Sequence, residues 1–211
     1  MPPPILNPFK ALIFRITHIR NLDEILAKGC ESRSQVRRAG GYVEIGNQEL
    51  IERRTARRVP CGPGGTLSDY VPFYFTPFTP MLMNIKTGYG VSRQLMPHII
   101  MLVSSLYRLQ ELGKAFVFSD RHAYLKTARF SDNLNDLHWI IWDTLRARNF
   151  SKDDIDRFEK YQAEALVHRH VPIDALLSIV CNNAEMKQLV QAQADERNVA
   201  TKVIAQPSWY L

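Results

Sequence analysis

The chain has 211 residues, 45% of them hydrophobic and 23% charged, the balance of an ordinary globular protein rather than a disordered or fibrous one, and its length suits one domain over residues 1–211 better than two. Lys plus Arg number 27 against 21 Asp plus Glu, a net charge of +6, which favours a polyanionic partner without naming one. Three widely separated cysteines without CxxC spacing argue against a disulfide framework or a zinc ribbon, and the lack of a signal-like start or a long apolar run leads us to expect a soluble cytoplasmic protein with no membrane partner.

The first element is ALIFRITHI, Ala11 to Ile19, short and rich in branched and aromatic residues, so a strand ending near His18 is expected. RNLDEILAKGC follows with Leu22, Ile25 and Leu26 at helical spacing, Asn21 placed to cap, Asp23 and Glu24 in the first turn and Gly29 to stop it. From Glu31 to Thr66 the chain is polar, basic and glycine-containing, a long loop with a short helix at NQELIERRTARR; connections of such length are commonly functional. Between Ser32 and Val59 its arginines Arg33, Arg37, Arg38, Arg53, Arg54, Arg57 and Arg58 are opposed only by Glu44, Glu49 and Glu52. That patch reads equally as a solvated surface or as a polyanion contact.

DYVPFYFTPF alternates like a strand, but Pro72 and Pro77 push it towards an edge or a strand end. Its aromatics Tyr70, Phe73, Tyr74, Phe75 and Phe78 suit a core better than base stacking. HIIMLVSS and AFVFSD are further strands, and LNDLHWIIWDTLRARNF and DDIDRFEKYQAE have helical apolar spacing. ALVHRHVPI reads as a strand, followed by a helix or two and a last strand in TKVIAQPSWYL. The pattern is mixed α+β. No GxGxxG follows a strand, and neither a P-loop nor HExxH is present, which argues against ordinary dinucleotide folds and P-loop chemistry.

In KYQAEALVHRHVP, Glu164 stands between two alanines at the head of an apolar run, and alternation places Glu164, Leu166, His168 and His170 on one face. A carboxylate there, held ionised by an arginine, serves as a base or orients a hydroxyl; an exposed strand-end glutamate is the commoner alternative. His168 and His170 lack further ligands at a familiar spacing, so packing is preferred to a metal pair and no metal is expected. Asp120 and His122 in FSDRHAY read as an acid–base pair or, more commonly, as a capping aspartate beside a turn histidine.

RITHIRNLDEILAKG, IGNQELIERR, GGTLSDYVPFYFTPFTPMLMNI and FEKYQAEALVHRHVPI together resemble the DarT family of DNA-targeting ADP-ribosyltransferase toxins over nearly the whole chain. The resemblance implies an α+β ADP-ribosyltransferase-like fold, with two small sheets around an NAD cleft and flanking helices, that transfers ADP-ribose from NAD to a base in single-stranded DNA. It implies Glu164 as the catalytic glutamate and Arg54, or Arg53 in a register shifted by one, as the catalytic arginine. It places His18, Asn21, Met81 and Arg54 in the NAD site. Arg53, Arg57 and Arg58 would track the DNA phosphates, and Tyr124, with Phe130, Trp139 and Trp142, would stack on unpaired bases. A macrodomain antitoxin resembling DarG is the implied partner. The motifs are more similar to the guanine-modifying group, with thymine as the alternative acceptor; a transferase on protein or RNA, or a non-catalytic single-strand-binding module, are the competing readings.

Overall fold

A computed structural model describes residues 4–36 and 42–210, so Arg37 and Arg38 of the basic segment lie outside the described residues. The strands are β1 (Leu12–His18), β2 (Cys30–Glu31), β3 (Tyr70–Tyr74), β4 (Ile99–Ser105), β5 (Phe116–Ser119), β6 (Phe130–Ser131), β7 (Glu164–His168), β8 (His170–Val171), β9 (Ser178–Cys181) and β10 (Lys202–Ala205). The helices are α1 (Leu22–Lys28), α2 (Gln48–Arg54), α3 (Pro80–Thr87), α4 (Leu106–Glu111), α5 (Trp142–Arg146), α6 (Ile155–Tyr161) and α7 (Ala184–Glu196). The α+β expectation holds.

Eight strands form one sheet in the order β10-β9-β4-β1-β3-β7-β5-β6, and β2 pairs with β8 in a second. The large sheet has a weak seam. β1 pairs with β4 along its whole length, from Leu12↔Ser105 to His18↔Ile99, whereas β1 and β3 share the single pair Phe14↔Tyr74. Beyond that pair the two halves of the sheet part, so the expected cleft between two small sheets takes the form of one sheet that opens along the seam.

Pro72 shows how the sequence tolerates this. The expectation of an edge strand is corrected, since β3 lies between β1 and β7. The Pro72 carbonyl accepts a bond from Arg15 Nη1 at 3.0 Å on the seam side. In an extended strand the nitrogen of the same residue faces the same way, so the missing N–H falls in the seam and not in the β7 ladder.

The core fills both sides of the sheet's centre. Every residue of β4 is buried, as are Ile13, Phe14, Val71, Phe73, Ala165, Leu166 and Val167, and each large apolar side chain so buried contributes about 1.5–3 kcal/mol. Phe75 and Phe118 meet edge-on, and Phe75 also meets Trp142. Trp142 is a core residue whose Nε1 donates to Leu137 O at 2.9 Å, which removes it from the proposed stacking surface.

Local departures from expectation have local causes. LNDLHWIIWDTLRARNF forms a 3-10 turn over Leu134–Trp139, an extended Ile140 and then α5. ALVHRHVPI is not one strand, because Arg169 takes a left-handed φ of 60° and divides β7 from β8. His168 therefore stacks on Tyr70, while His170, in β8 of the other sheet, meets the Lys28 carbonyl at the end of α1 through Nε2. β9 was not foreseen; it pairs in parallel with β10 across α7, the crossover that parallel pairing requires. Among the described residues no helix is long and apolar enough to cross a membrane.

Candidate active site

Where the seam closes, Glu164 stands opposite Tyr74, and Tyr74 opposite Phe14. Glu164 opens β7, and its N–H donates to Ser119 Oγ at 3.3 Å, which fixes the strand start beside β5. Its side chain is turned inward and is 1% exposed. The exposed strand-end alternative is therefore excluded.

Arg54 meets it from the last turn of α2. Asn47 caps that helix, its Oδ1 accepting the Leu50 N–H at 2.9 Å, a contact that sets the helix register. Arg54 Nη1 donates to Glu164 Oε1 at 3.0 Å and Nη2 to Oε2 at 2.9 Å, the two-pronged geometry in which guanidinium and carboxylate bind most strongly. Arg53, one residue earlier, points outward with 57% of its side chain exposed and pairs with Glu49. The helix thereby separates the two arginines that the sequence left in alternative registers.

A third donor comes from the loop after β5. The Ala123 N–H donates to Glu164 Oε1 at 3.0 Å, and His122 Nδ1 lies 3.5 Å from the same oxygen while accepting the Tyr124 N–H at 3.2 Å. Burial acts to raise the Glu164 carboxyl, but the Arg54 charge, then His122 and the bonds from Arg54 and Ala123, hold it below the ordinary carboxylate value. Glu164 is ionised at neutral pH. Burial dominates at His122 and lowers it despite the neighbouring carboxylate, so its imidazole is neutral there.

Glu164, Arg54 and His122 line a cavity of about 620 Å³ that also takes in Arg15, Tyr42, Tyr74 and Met81, within the range of small-molecule sites, about 300–1,000 Å³. Met81, near the start of α3, accepts the Tyr74 hydroxyl on Sδ at 3.7 Å. His18 and Asn21 do not line the cavity; they stand behind it. His18 is 7% exposed and accepts the Arg20 N–H on Nδ1 at 3.1 Å. Asn21 holds the N-cap position of α1, as the sequence suggested, but its side chain makes no capping bond. Its amide donates to Val43 O at 2.9 Å and to Thr17 Oγ1 at 3.0 Å, and its oxygen accepts the Val43 N–H at 2.8 Å, so it holds in place the Val43 segment that forms a wall.

The basic segment divides by partner. Arg33 pairs with Glu44 at 2.9 Å. Arg57 donates to the carbonyls of Leu125 at 2.9 Å and Ala123 at 3.5 Å and lies over the Phe130 ring, so its donors fasten the same loop that serves Glu164. Arg58 is exposed. Tyr124 is half-buried against the small apolar cluster of Val59, Leu67 and Tyr70, and Trp139 carries Arg129 over its ring at 4.5 Å.

Arg15, Tyr42, Tyr74, His122 and the Ala123 N–H were not assigned to the site from the sequence. Arg15 carried a signal, as a charge inside the apolar run ALIFRITHI, and His122 was weighed only against Asp120. Asp120 instead accepts the Arg129 N–H and Nε at 3.0 and 2.9 Å.

Known proteins resemble this chain over nearly its whole length. Residues 14–211 match the family model described as ssDNA thymidine ADP-ribosyltransferase, DarT. A protein of Escherichia coli O127:H6 described as a DNA ADP-ribosyl transferase is 44% identical over 208 residues, covering 97% of this chain and 95% of that one. The structure of Thermus sp. 2.9 DarT in complex with ADP-ribosylated ssDNA superposes with a TM-score of 0.90 at 32% identity, covering 100% of both chains. The same protein in complex with NAD+ gives 0.83 at 32% identity, covering 96% of this chain and 98% of that one. A family match over residues 14–211 and 44% identity over nearly the whole chain leave one assignment: the chain belongs to the DarT family of single-stranded DNA ADP-ribosyltransferases.

Proposed function

We propose that this chain transfers ADP-ribose from NAD+ to a base of single-stranded DNA, with Glu164 and Arg54 as its catalytic pair. The observation that carries the reading is a buried carboxylate, ionised by a two-pronged arginine, at the wall of a cavity of dinucleotide size. Breaking the bond between nicotinamide and ribose leaves positive charge on the ribose, and a fixed carboxylate stabilises it as it forms. The base nitrogen bonds to the ribose carbon, nicotinamide leaves with the bonding electrons, and the proton displaced from the base passes to Glu164 or to solvent. Arg54 keeps Glu164 ionised and oriented, Met81 and Tyr74 pack the cavity wall, and Asn21 holds Val43 against it.

Thymidine is the acceptor we favour, in line with the description of the family model. The residues around Glu164 do not separate the two bases, and guanine, expected from the motifs, stands as the alternative. A single-stranded substrate suits the site because extracting a base from a duplex costs a few kcal/mol. Arg53 and Arg58 are the exposed cations we assign to the DNA backbone, and Tyr124 to base contact. We further propose that the chain acts in the cytoplasm as the toxin of a toxin–antitoxin pair, neutralised by a macrodomain partner.

Mass spectrometry of single-stranded oligonucleotides, each lacking one base type, tests the reading after incubation with NAD+. A gain of one ADP-ribose that vanishes with Glu164→Ala and with the omission of thymine supports it. Dependence on guanine moves the acceptor, and modification of protein or RNA but no DNA removes the DNA reading.

A further inference from the structure

Among the described residues the cavity is lined by three arginines, and two of them have carboxylate partners: Arg33 with Glu44, and Arg54 with Glu164. Arg15 differs. Its Nη1 donates to the Pro72 carbonyl at 3.0 Å and its Nη2 to the Tyr42 hydroxyl at 3.4 Å, both neutral acceptors. The groups that face it most strongly are Tyr42, Cys30 and Tyr74, with the Arg54 guanidinium close enough for mutual repulsion. Burial pushes the Cys30 thiol up to about 11 and the Tyr74 phenol far above its ordinary value, so neither carries negative charge at neutral pH. Glu31 and Glu52 also line the cavity, and neither forms an ion pair with Arg15.

A guanidinium has five N–H donors and cannot shed its proton, and a buried charge is ordinarily paired. Arg15 sits at the point where the β1–β3 ladder lapses, and its bond to Pro72 O occupies a carbonyl that the open seam leaves without a strand partner. That contact explains why the residue is held rigidly. It does not explain why the position is cationic, because a neutral amide would serve the carbonyl as well.

We infer that Arg15 is an anion-anchoring residue of the cavity and that its ligand is a phosphate oxyanion, expected to be the pyrophosphate of the dinucleotide. The inference rests on the reading that the cavity takes NAD+. Planar guanidinium donors match two phosphate oxygens at once, and Arg15 stands on the same wall as Arg54, which Glu164 already neutralises. Among the described residues of the lining, the arginine without a carboxylate partner is therefore Arg15. A backbone phosphate of the DNA offers the same chemistry and is the other source.

The test is titration calorimetry of the whole chain and of Arg15→Gln and Arg15→Lys with inorganic pyrophosphate, ADP-ribose, adenosine and an unmodified oligonucleotide, with thermal melting to confirm folding. Arg15→Gln is expected to weaken pyrophosphate and ADP-ribose by about tenfold to a hundredfold, the range of a charged hydrogen bond, with adenosine unchanged and Arg15→Lys in between. If the oligonucleotide alone weakens, with a shallower salt dependence, the phosphate belongs to DNA and the dinucleotide assignment is overturned. Equal affinities in the native chain and Arg15→Gln, or no binding of pyrophosphate or ADP-ribose by the native chain, overturn the inference and leave Arg15 as a wedge in the seam. Should Arg15→Gln not fold, Arg15→Lys decides: a loss confined to phosphate-bearing ligands supports the anchor, and no loss or a uniform loss refutes it. Absence of oligonucleotide modification by the native chain would remove the transferase reading, while the pyrophosphate arm still decides Arg15.

Discussion

Arg54 and Glu164 stand 110 positions apart in the chain and meet through two N–H···O bonds of 3.0 and 2.9 Å. Burying two charges is unfavourable unless both are fully bonded, and here the Ala123 N–H completes the set on Oε1. Removing one partner strands the other. Glu164→Gln is expected to reduce ADP-ribose transfer by at least about a hundredfold and to destabilise the chain by about 3–5 kcal/mol, as loss of half a buried pair does. Single-turnover kinetics and urea unfolding measure the two effects separately. A fully active Glu164→Gln protein would refute the assignment of the carboxylate.

Arg53 and Arg54 provide an internal control. Arg53→Ala removes an exposed i,i+4 pair with Glu49, worth about 0.3–0.5 kcal/mol, and should leave NAD+ hydrolysis in the absence of DNA unchanged. On the reading that Arg53 follows the DNA backbone, its loss weakens oligonucleotide binding and makes the salt dependence shallower by about one unit. Arg54→Ala should strongly reduce both NAD+ hydrolysis and ADP-ribose transfer at neutral pH. Equal losses in the two variants would mean that α2 presents its arginines otherwise than described.

The contrast also shows what was legible in the sequence. Spacing along one strand located Glu164 at a strand head, and the resemblance paired it with an arginine near position 54, but the register of α2 depends on the Asn47 cap and on where the loop before it ends. Neither is a property of a short motif. Asn21 was read as a cap because Asn before a helical run usually is one; its amide instead found Val43, more than twenty residues on, a tertiary partner that local propensity cannot reveal. His168 and His170 were placed on one face by alternation, and the left-handed Arg169 between them sent them to different sheets. His122 and Ala123 reach Glu164 through a loop, where no periodicity reports on direction.

Asn21→Ala should therefore act on the cavity wall rather than on helix α1. It leaves the N–H and carbonyl of Val43 without their side-chain partners, a loss of about 1–3 kcal/mol if neither finds water. The expected kinetic signature is a raised KM for NAD+ with a smaller change in kcat, since Val43 lines the cavity while the donors that hold the Glu164 carboxylate are Arg54 and Ala123. Helix content by circular dichroism should be unchanged; a marked drop would restore the capping role.

The pH dependence follows from the environment of Glu164. Its carboxyl is held below the ordinary value in the folded chain, so the unfolded chain binds the proton more readily. The resulting stabilisation is fully present above the unfolded value, about 4.3, and is lost as pH falls through the folded value. Transfer should accordingly keep its acid-side activity below the usual carboxylate range. Arg54→Met removes the strongest favourable cause and should move the acid limb of kcat/KM upward, with residual activity confined to higher pH. An unmoved limb would assign the titration to another group.

Asp120 provides a test of the loop itself. It is 1% exposed, accepts the N–H and Nε of Arg129 at 3.0 and 2.9 Å, and donates its own N–H to Arg129 O at 3.2 Å, which ties together the two ends of the segment that delivers His122 and Ala123 to Glu164. Arg121, 3.6 Å from the same carboxylate, bonds Asp156 and Glu159 of α6 at 3.1 Å each. The pin thus joins the loop to the helix that leads into β7. Asp120→Asn keeps the shape but discards the charge that two arginines share; Arg129 is largely exposed, so the loss of local stability should be about 1–3 kcal/mol. If the loop's function is to place the Ala123 N–H, the acid limb of the pH profile shifts upward in Asp120→Asn as it does in Arg54→Met, by a smaller amount. A variant that is destabilised but has the native pH profile would show that Asp120 holds the fold together without positioning the carboxylate's donor.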